Sequence, residues 1–485
     1  MNFPLLSLLI FTPLAGAALL WLLPVRSARY VTAAAMLLTL SAASAVIVAY
    51  DPAGTRFQLL ERVSWIASLN VHYLVAVDGL SLLFLPATAL LFLGSLVASW
   101  NSVADAPRFH YSLLLLLLSC TLGIFCALDS ILFFFFWELT LIPLYFLLGR
   151  WGVVSGCQRV AARYVLIMLS AGLPLLVAFV ILAASQPLPT FDLITLLAAP
   201  LPRGTQTAVF LLCLIGFAVK VPLVPLHTWL PQFALAAPGS LTALLVGLKL
   251  GAYGLIRFAI PLAPDAAQDL HWLLAGLGTL TLIYGAVGML AQSNLRVVLA
   301  YASICHVGLA VLGLAAFTAQ AVQGAVALLL SFAVATGGAL LLLEFLRQRT
   351  GSTDVHSLGG AAKTMPLLAS GLFVCGMAGV GMPGTSSFPG EFLLILAALQ
   401  THTGAGMAAL FGLSIAAGGF LSLYRKAFFG PVIHREVADA RDLRPREWAV
   451  LIIVIALVAS IGLYPIPWLE IVRPSAEAWA AGLVR

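Results

Sequence analysis

Fourteen stretches of this 485-residue chain are apolar for about the length that crosses a bilayer, and they dominate what it can fold into. A hydrocarbon core ~30 Å thick requires about 20 largely apolar residues in helical form. The stretches lie at 2–23, 30–50, 73–100, 110–128, 130–149, 163–184, 207–228, 240–260, 271–291, 297–316, 322–346, 366–398, 405–428 and 448–469. The twelfth is long because it is interrupted. The first is read as a span and not as a cleaved signal peptide, since no basic region precedes it and the chain continues directly into a second span. Soluble proteins are about 45–50% apolar and about 25% charged, whereas this chain is 62% hydrophobic and 9% charged. A soluble enzyme, a disordered chain and a collagen-like repeat are excluded. The expected fold class is an all-α polytopic membrane protein with about 14 transmembrane helices.

Lys and Arg between the spans set the orientation. If the connection holding Arg26 and Arg29 is cytoplasmic, that side collects sixteen of the 24 basic residues, Arg150, Arg159, Arg163, Arg349, Arg441, Arg444 and Arg446 among them. The opposite side holds Arg56, Arg62, Arg203, Arg257, Arg473 and Arg485, and Lys220 and Lys249 lie inside spans. Both termini are therefore expected on the non-cytoplasmic side. The net charge of +6 is topological, so a lipid bilayer and not nucleic acid is the expected surrounding.

Four ions stand where lipid would otherwise be. Glu138 sits in FFFFWELTLIP, Lys220 in GFAVKVPLVPLHTWLP, Lys249 in LLVGLKLGAYGLIRF and Glu391 in MPGTSSFPGEFLLILAAL. An ion at a helix centre costs roughly 2.5–3.5 kcal/mol on insertion scales, so such a cluster requires partners, a cavity or a function. Low dielectric favours a neutral lysine and a nearby carboxylate favours a charged one. A Lys220–Glu138 pair is thus a switchable proton site, Lys249 can accept the released proton, and Glu391 can pass it towards the other surface. His306 in SICHVG and His227 in PLHTWLP titrate near neutral pH and are accessory candidates for bridging gaps through water.

Two spans are broken beside these ions. Pro222 and Pro225 remove amide donors after Lys220 and free the carbonyls of Ala218 and Val221. Pro383, Gly384, Pro389 and Gly390 do the same before Glu391. Non-helical backbone at membrane depth survives only where protein or water satisfies it, so the breaks mark a polar interior. Spans four to eight and nine to thirteen then read as two inverted five-helix repeats, each with one broken helix. The expected units are N-terminal helices over 1–109, a first repeat over 110–260, a second over 271–428 and a C-terminal helix over 429–485. Under this pairing Lys220 corresponds to Glu391, and Glu138 to His306.

Other features carry less. Asp78 in VDGLS is placed to accept backbone amides at a helix start, and Glu344 with Arg347 reads as a surface pair one turn apart. The six cysteines are scattered and form no CxxC or Cys/His cluster, so no haem, iron–sulfur or zinc site is expected. There is no Walker A motif, dinucleotide fingerprint or metal-ligand spacing.

With these residues in view, the chain resembles the antiporter-like membrane subunits of respiratory complex I, and among them the M-type group. The resemblance runs over nearly the whole chain. It is carried by DGLS at 78–81, WELTLIPLYFLLGRWG at 137–152, KVPLVPLHTWLP at 220–231, LKLGAYGLIRF at 248–258, QSNLRVVLAYASICHVG at 292–308 and MPGTSSFPGEF at 382–392. The glutamate of GEF is similar to M-type subunits, whereas L-type and N-type relatives place a lysine there. The resemblance implies Glu138 and Lys220 as the coupled pair, Lys249 as central relay, His306 as accessory relay and Glu391 as exit-side site. It implies a proton-translocating subunit of an NADH:quinone oxidoreductase in the inner membrane, beside L-type and N-type neighbours. FMN, iron–sulfur clusters and quinone would belong to partner subunits, with no cofactor or metal on this chain. Three places depart from the pattern: Gln232, Ala234 and Ala236 replace titratable residues in WLPQFALAAP, Phe332 replaces a frequent histidine, and Arg163 a usual lysine. Alternative functions are a subunit of a multisubunit cation/proton antiporter or membrane-bound hydrogenase, and a transport-silent scaffold paralogue.

Overall fold

A computed structural model describes residues 4–199 and 201–483; residues 2 and 3 of the first expected span and Arg485 of the basic tally lie outside the described residues. Among the described residues, twelve helices are long and apolar enough to cross a membrane, and Phe84–Ser99, Pro366–Gly379 and Phe388–Thr401 are shorter apolar helices. The fold is thus a largely helical, multi-pass membrane bundle. Leu295–Leu314 and Ala319–Thr350 form its centre, each with 94% of its most apolar window buried, against 28% for the peripheral Pro445–Leu463. His271–Leu290 packs along Leu295–Leu314 at very close range: a Cβ added to Gly308 would lie 2.4 Å from the Leu282 amide nitrogen. Small residues at helix contacts permit such backbone approach in membranes.

The third expected span is corrected at its start. Residues 73–77 belong to an antiparallel hairpin of strands Gln58–Ile66 and Val71–Val77, reversed at Asn70 in the left-handed region (φ 53°). Hydropathy alone does not distinguish a Val- and Tyr-rich strand from a helix, and an open hairpin has no place in hydrocarbon, where its free edge would go unpaired. It is pinned to the next element: Asp129 accepts from His72 N (2.9 Å) while capping Ser130–Leu139 through Ile131 N (2.9 Å) and Leu132 N (3.1 Å).

The helix Arg203–Lys220 ends at the first proline pair. The Ala218 carbonyl, expected to be free, accepts from Leu223 N at 2.9 Å, and Val219 O accepts from Trp229 Nε1 at 2.8 Å. Between Pro366–Gly379 and Phe388–Thr401 the second break turns through Gly381 (φ 71°) and Gly384 (φ 85°). A third interruption, with no proline to announce it, separates Gly239–Gly247 from Leu250–Gly254 at Lys249. Single π-helical turns follow at Leu255–Ala259 and Phe332–Thr336. Beyond Pro445–Leu463 an unexpected helix, Ile466–Ala481, docks through Trp479 Nε1 on Ile256 O (2.7 Å).

Two ion pairs differ from expectation. Asp78 does accept from Leu80 N and Ser81 N (3.0 and 3.2 Å), but it also grips Arg257 through both guanidinium nitrogens at 2.6 and 2.5 Å, fully buried. Glu344 and Arg347 do pair at 2.6 Å, yet Glu344 is 1% exposed. Its carboxylate is drawn inward because it also accepts from Gly239 N, the first amide of another helix, at 2.8 Å.

Candidate functional site

Glu138 is the penultimate residue of Ser130–Leu139, and its carboxylate is held by shape. Gly172 of Cys157–Ala184 faces it so closely that an added Cβ would come within 2.1 Å of Oε1. Both carboxylate oxygens are buried and have no hydrogen-bond partner among the described residues.

Lys220, the last residue of its helix, does not close an ion pair with Glu138. Its ammonium points to Trp137 O (3.4 Å) and Thr140 Oγ1 (3.3 Å) and lies 3.7 Å from the Trp137 ring centroid. Consecutive helix residues diverge by ~100°, so an amine docked on the Trp137 face leaves Glu138 turned to Gly172.

Lys220 and Lys249 line one narrow cavity, walled mainly by leucines with Thr121 and Thr140. Lys249 sits where its helix is interrupted, which frees the side chain from the helical surface. Its Nζ donates to Ser303 Oγ and stands 5.0 Å from the Phe332 ring centroid. One turn along Leu295–Leu314 from Ser303 is His306, whose Nδ1 lies 2.7 Å from Ala302 O. A carbonyl only accepts, so Nδ1 carries a proton and Nε2 faces Glu391 Oε1 at 3.3 Å. That contact is attractive only when it holds one further proton, as imidazolium against carboxylate or imidazole against carboxylic acid. The pair is close but not aligned as a hydrogen bond. Glu391 lies in the first turn of Phe388–Thr401, pressed against Gly381, where a Cβ would sit 1.9 Å from Oε2.

Five of the six residues singled out in the sequence therefore form one succession, Glu138, Lys220, Lys249, His306, Glu391, the first two half-buried and the last three buried. His227 does not join it; it is buried edge-on against Tyr284, 4.6 Å between ring centroids.

A family profile described as NADH:quinone oxidoreductase/Mrp antiporter, TM, matches residues 127–416, a segment that contains the whole succession. The chain belongs to this family. NADH-quinone oxidoreductase subunit M of Rhodobacter capsulatus is 31% identical to it, over 97% of this chain and 95% of the relative. NAD(P)H-quinone oxidoreductase chain 4 1 of a Synechococcus species is 34% identical, over 96% of this chain and 90% of that one. Among solved structures, a chain of respiratory complex I from Thermus thermophilus with bound NADH superimposes with a TM-score of 0.90 at 31% identity, over 99% of both chains. A chain of the Mrp complex from Dietzia sp. DQ12-45-1b gives 0.86 at 21% identity, over all of both chains, a likeness of fold alone.

In this antiporter-like subunit, several polar neighbours carried no sequence signal that they belonged to the site. Ser303 binds Lys249, and Thr140 and Trp137 receive Lys220. Ser331 Oγ contacts Ser386 and Ser387 Oγ at 2.7 and 2.6 Å, just ahead of the Glu391 helix. The serines of MPGTSSFPGEF adjoin a recognised ion and were the one legible clue. The departures fall differently: Gln232 and Arg163 are exposed, Ala234 and Ala236 buried. Phe332 alone stands within the succession, its ring 5.5 Å from that of His306. Among the described residues no group of three or more His, Cys, Asp or Glu is gathered as for a metal ion.

Proposed function

We propose that this chain is the M-type, proton-translocating subunit of a complex I-type NADH:quinone oxidoreductase in the inner membrane. L-type and N-type subunits are its neighbours, and flavin, iron–sulfur and quinone chemistry resides in partner chains. Residues 110–260 and 271–428 act as inverted repeats that bring Lys220 and Glu391 to equivalent breaks, with both termini on the non-cytoplasmic side.

The observation that carries the reading is the succession itself. Lys220 and Lys249 share a cavity, Lys249 is tied to Ser303, and His306 touches Glu391. With Glu138 turned away, Lys220 is the donor poised to release; Lys249, reached across the shared cavity, is the acceptor. From Lys249 the proton passes by Ser303 to the His306–Glu391 contact, where one proton is already required, so arrival of a second expels one outward. Return of Glu138 to Lys220 favours reloading.

The test is Lys220→Arg in the complex assembled with its natural partners and reconstituted in proteoliposomes. Arginine keeps the charge but does not deprotonate. The variant is expected to assemble and to lose most NADH-driven proton uptake, and Lys220→Ala to be no less damaging. Normal uptake with the arginine variant removes Lys220 from the pathway. The apolar Phe332 ring beside Lys249 and His306 favours a second reading, a transport-silent scaffold, for which all the variants would pump like the wild type.

A further inference from the structure

An open groove of about 810 Å³ runs along the outside of the bundle between Ala28–Ala49, Phe84–Ser99, the Phe332–Thr336 turn and Pro445–Leu463. Its walls are apolar, and Leu37 and Ile453, 53% and 45% exposed, leave it open to the surrounding lipid. Its length follows from the helix that floors it: from Val97 to Ala87 the groove descends about 15 Å at ~1.5 Å per residue. That is half of the ~30 Å hydrocarbon core, the depth of one leaflet.

Its mouth is cationic. Helix Ala28–Ala49 begins there and Phe84–Ser99 ends there, as does the start of Pro445–Leu463, so Arg29, Asn101, Arg444 and Arg446 lie on one membrane face. With the Asn101 amide oriented to satisfy both, its oxygen accepts from Arg446 Nη2 at 2.6 Å and Arg444 Nη1 at 3.0 Å. Arg29 lies over the Trp100 ring, 5.4 Å from its centroid. The nearby carboxylates are already engaged. Glu447 binds Arg349 and accepts from Arg444 N (2.9 Å), and Asp442 accepts from Leu367 N and Leu368 N (2.7 and 3.1 Å). Arg446 lines the groove, and its buried Nε has no partner among the described residues.

We propose that this groove is a binding site for an anionic phospholipid, the phosphate seated on Arg446, Arg444 and Arg29 and one acyl chain lying past Val97, Gly94 and Ile453. A phosphate brings the acceptors that Arg446 lacks and the charge that the mouth lacks. Juxtaposed basic residues at a membrane surface recognise anionic lipid in this way. A free phosphate would leave the apolar trough unfilled, and an apolar helix from a neighbour would leave three guanidinium groups uncompensated. The deep end of the groove is Ala333 and Val334, in the same π turn as Phe332. The lipid tail thus braces the turn whose aromatic ring flanks both Lys249 and His306.

The test uses the whole complex, stripped of lipid in detergent and offered phosphatidylglycerol, phosphatidylcholine or inorganic phosphate, with retention read by native mass spectrometry. The wild type is expected to retain phosphatidylglycerol with roughly tenfold or greater preference over phosphatidylcholine. Arg446→Glu should abolish that preference. Ala449→Trp, which fills the groove from its exposed wall and leaves the charges alone, should lose bound lipid of both kinds, with assembly followed on native gels. Equal phosphatidylglycerol retention by wild type and both variants overturns the proposal. So does full displacement of the lipid by equimolar inorganic phosphate, and so does efficient cross-linking of Ile453→Cys to a neighbouring subunit in the lipid-replete complex, which would show protein in the groove.

Discussion

Replacing Gly381 by alanine tests whether shape holds Glu391 in place. Two effects add at this position. The backbone sits at φ 71°, a left-handed conformation that costs an L-residue about 1–2 kcal/mol. The new Cβ would also lie 1.9 Å from Glu391 Oε2, so the carboxylate must withdraw by about 1.5 Å to reach ordinary contact distance. Such a withdrawal opens its 3.3 Å contact with His306, and a misplacement of ~1 Å in a transfer geometry can slow the step about 10²-fold. Gly381→Ala is therefore expected to assemble, with modest loss of thermal stability, and to lower NADH-driven proton uptake in proteoliposomes by roughly 10- to 100-fold. Shortening the side chain by one carbon–carbon bond, ~1.5 Å, supplies the matching correction. Glu391→Asp introduced into the alanine variant should recover part of the lost rate although Glu391→Asp alone lowers it. Wild-type uptake by Gly381→Ala refutes the reasoning, as does a double variant whose defects simply multiply.

Phe332→His places a titratable ring beside both Lys249 and His306 and should leave assembly intact and raise proton uptake per NADH oxidised; a large fall would mean that the ring must stay apolar. Asp78→Asn strands Arg257 in a buried site and should destabilise the subunit by about 3–5 kcal/mol, whereas Asp78→Leu with Arg257→Leu should recover much of that in thermal melts of the complex. His402, in the connection between Phe388–Thr401 and Thr403–Phe428, has its pKa lowered below the usual histidine value by burial, with help from His271, whose ring nitrogen is 2.9 Å away. A histidine easier to charge unfolded than folded contributes stability above its unfolded pKa of ~6.5 that is lost as the pH falls through the lower folded value. Melting temperature should thus drop more steeply between pH 7 and 5 in the wild type than in His402→Gln, and parallel profiles would count against it.

Composition and apolar patterning alone set the solvent, the helical character and the titratable residues. An ion inside an apolar span announces itself because its burial is expensive wherever the helix packs, so Glu138, Lys220, Lys249 and Glu391 were legible one at a time. Prolines announced two of the breaks for the same local reason: a missing amide is missing in any fold. Partnership was not legible. Asp78 and Arg257 are 179 positions apart, and Glu344 was drawn inward by an amide of a distant helix. Nor could sequence reveal that Lys220 would dock on Trp137 and leave Glu138 turned to Gly172, since one residue of helix rotation decides between them. The interruption at Lys249 and the strand at Val71–Val77 lacked a local marker, because hydropathy is blind to backbone conformation. Only the packed bundle set Ser303 under Lys249, His306 against Glu391 and Phe332 beside Lys249 and His306, because contacts among helices depend on rotation and depth that apolar patterning leaves free in lipid.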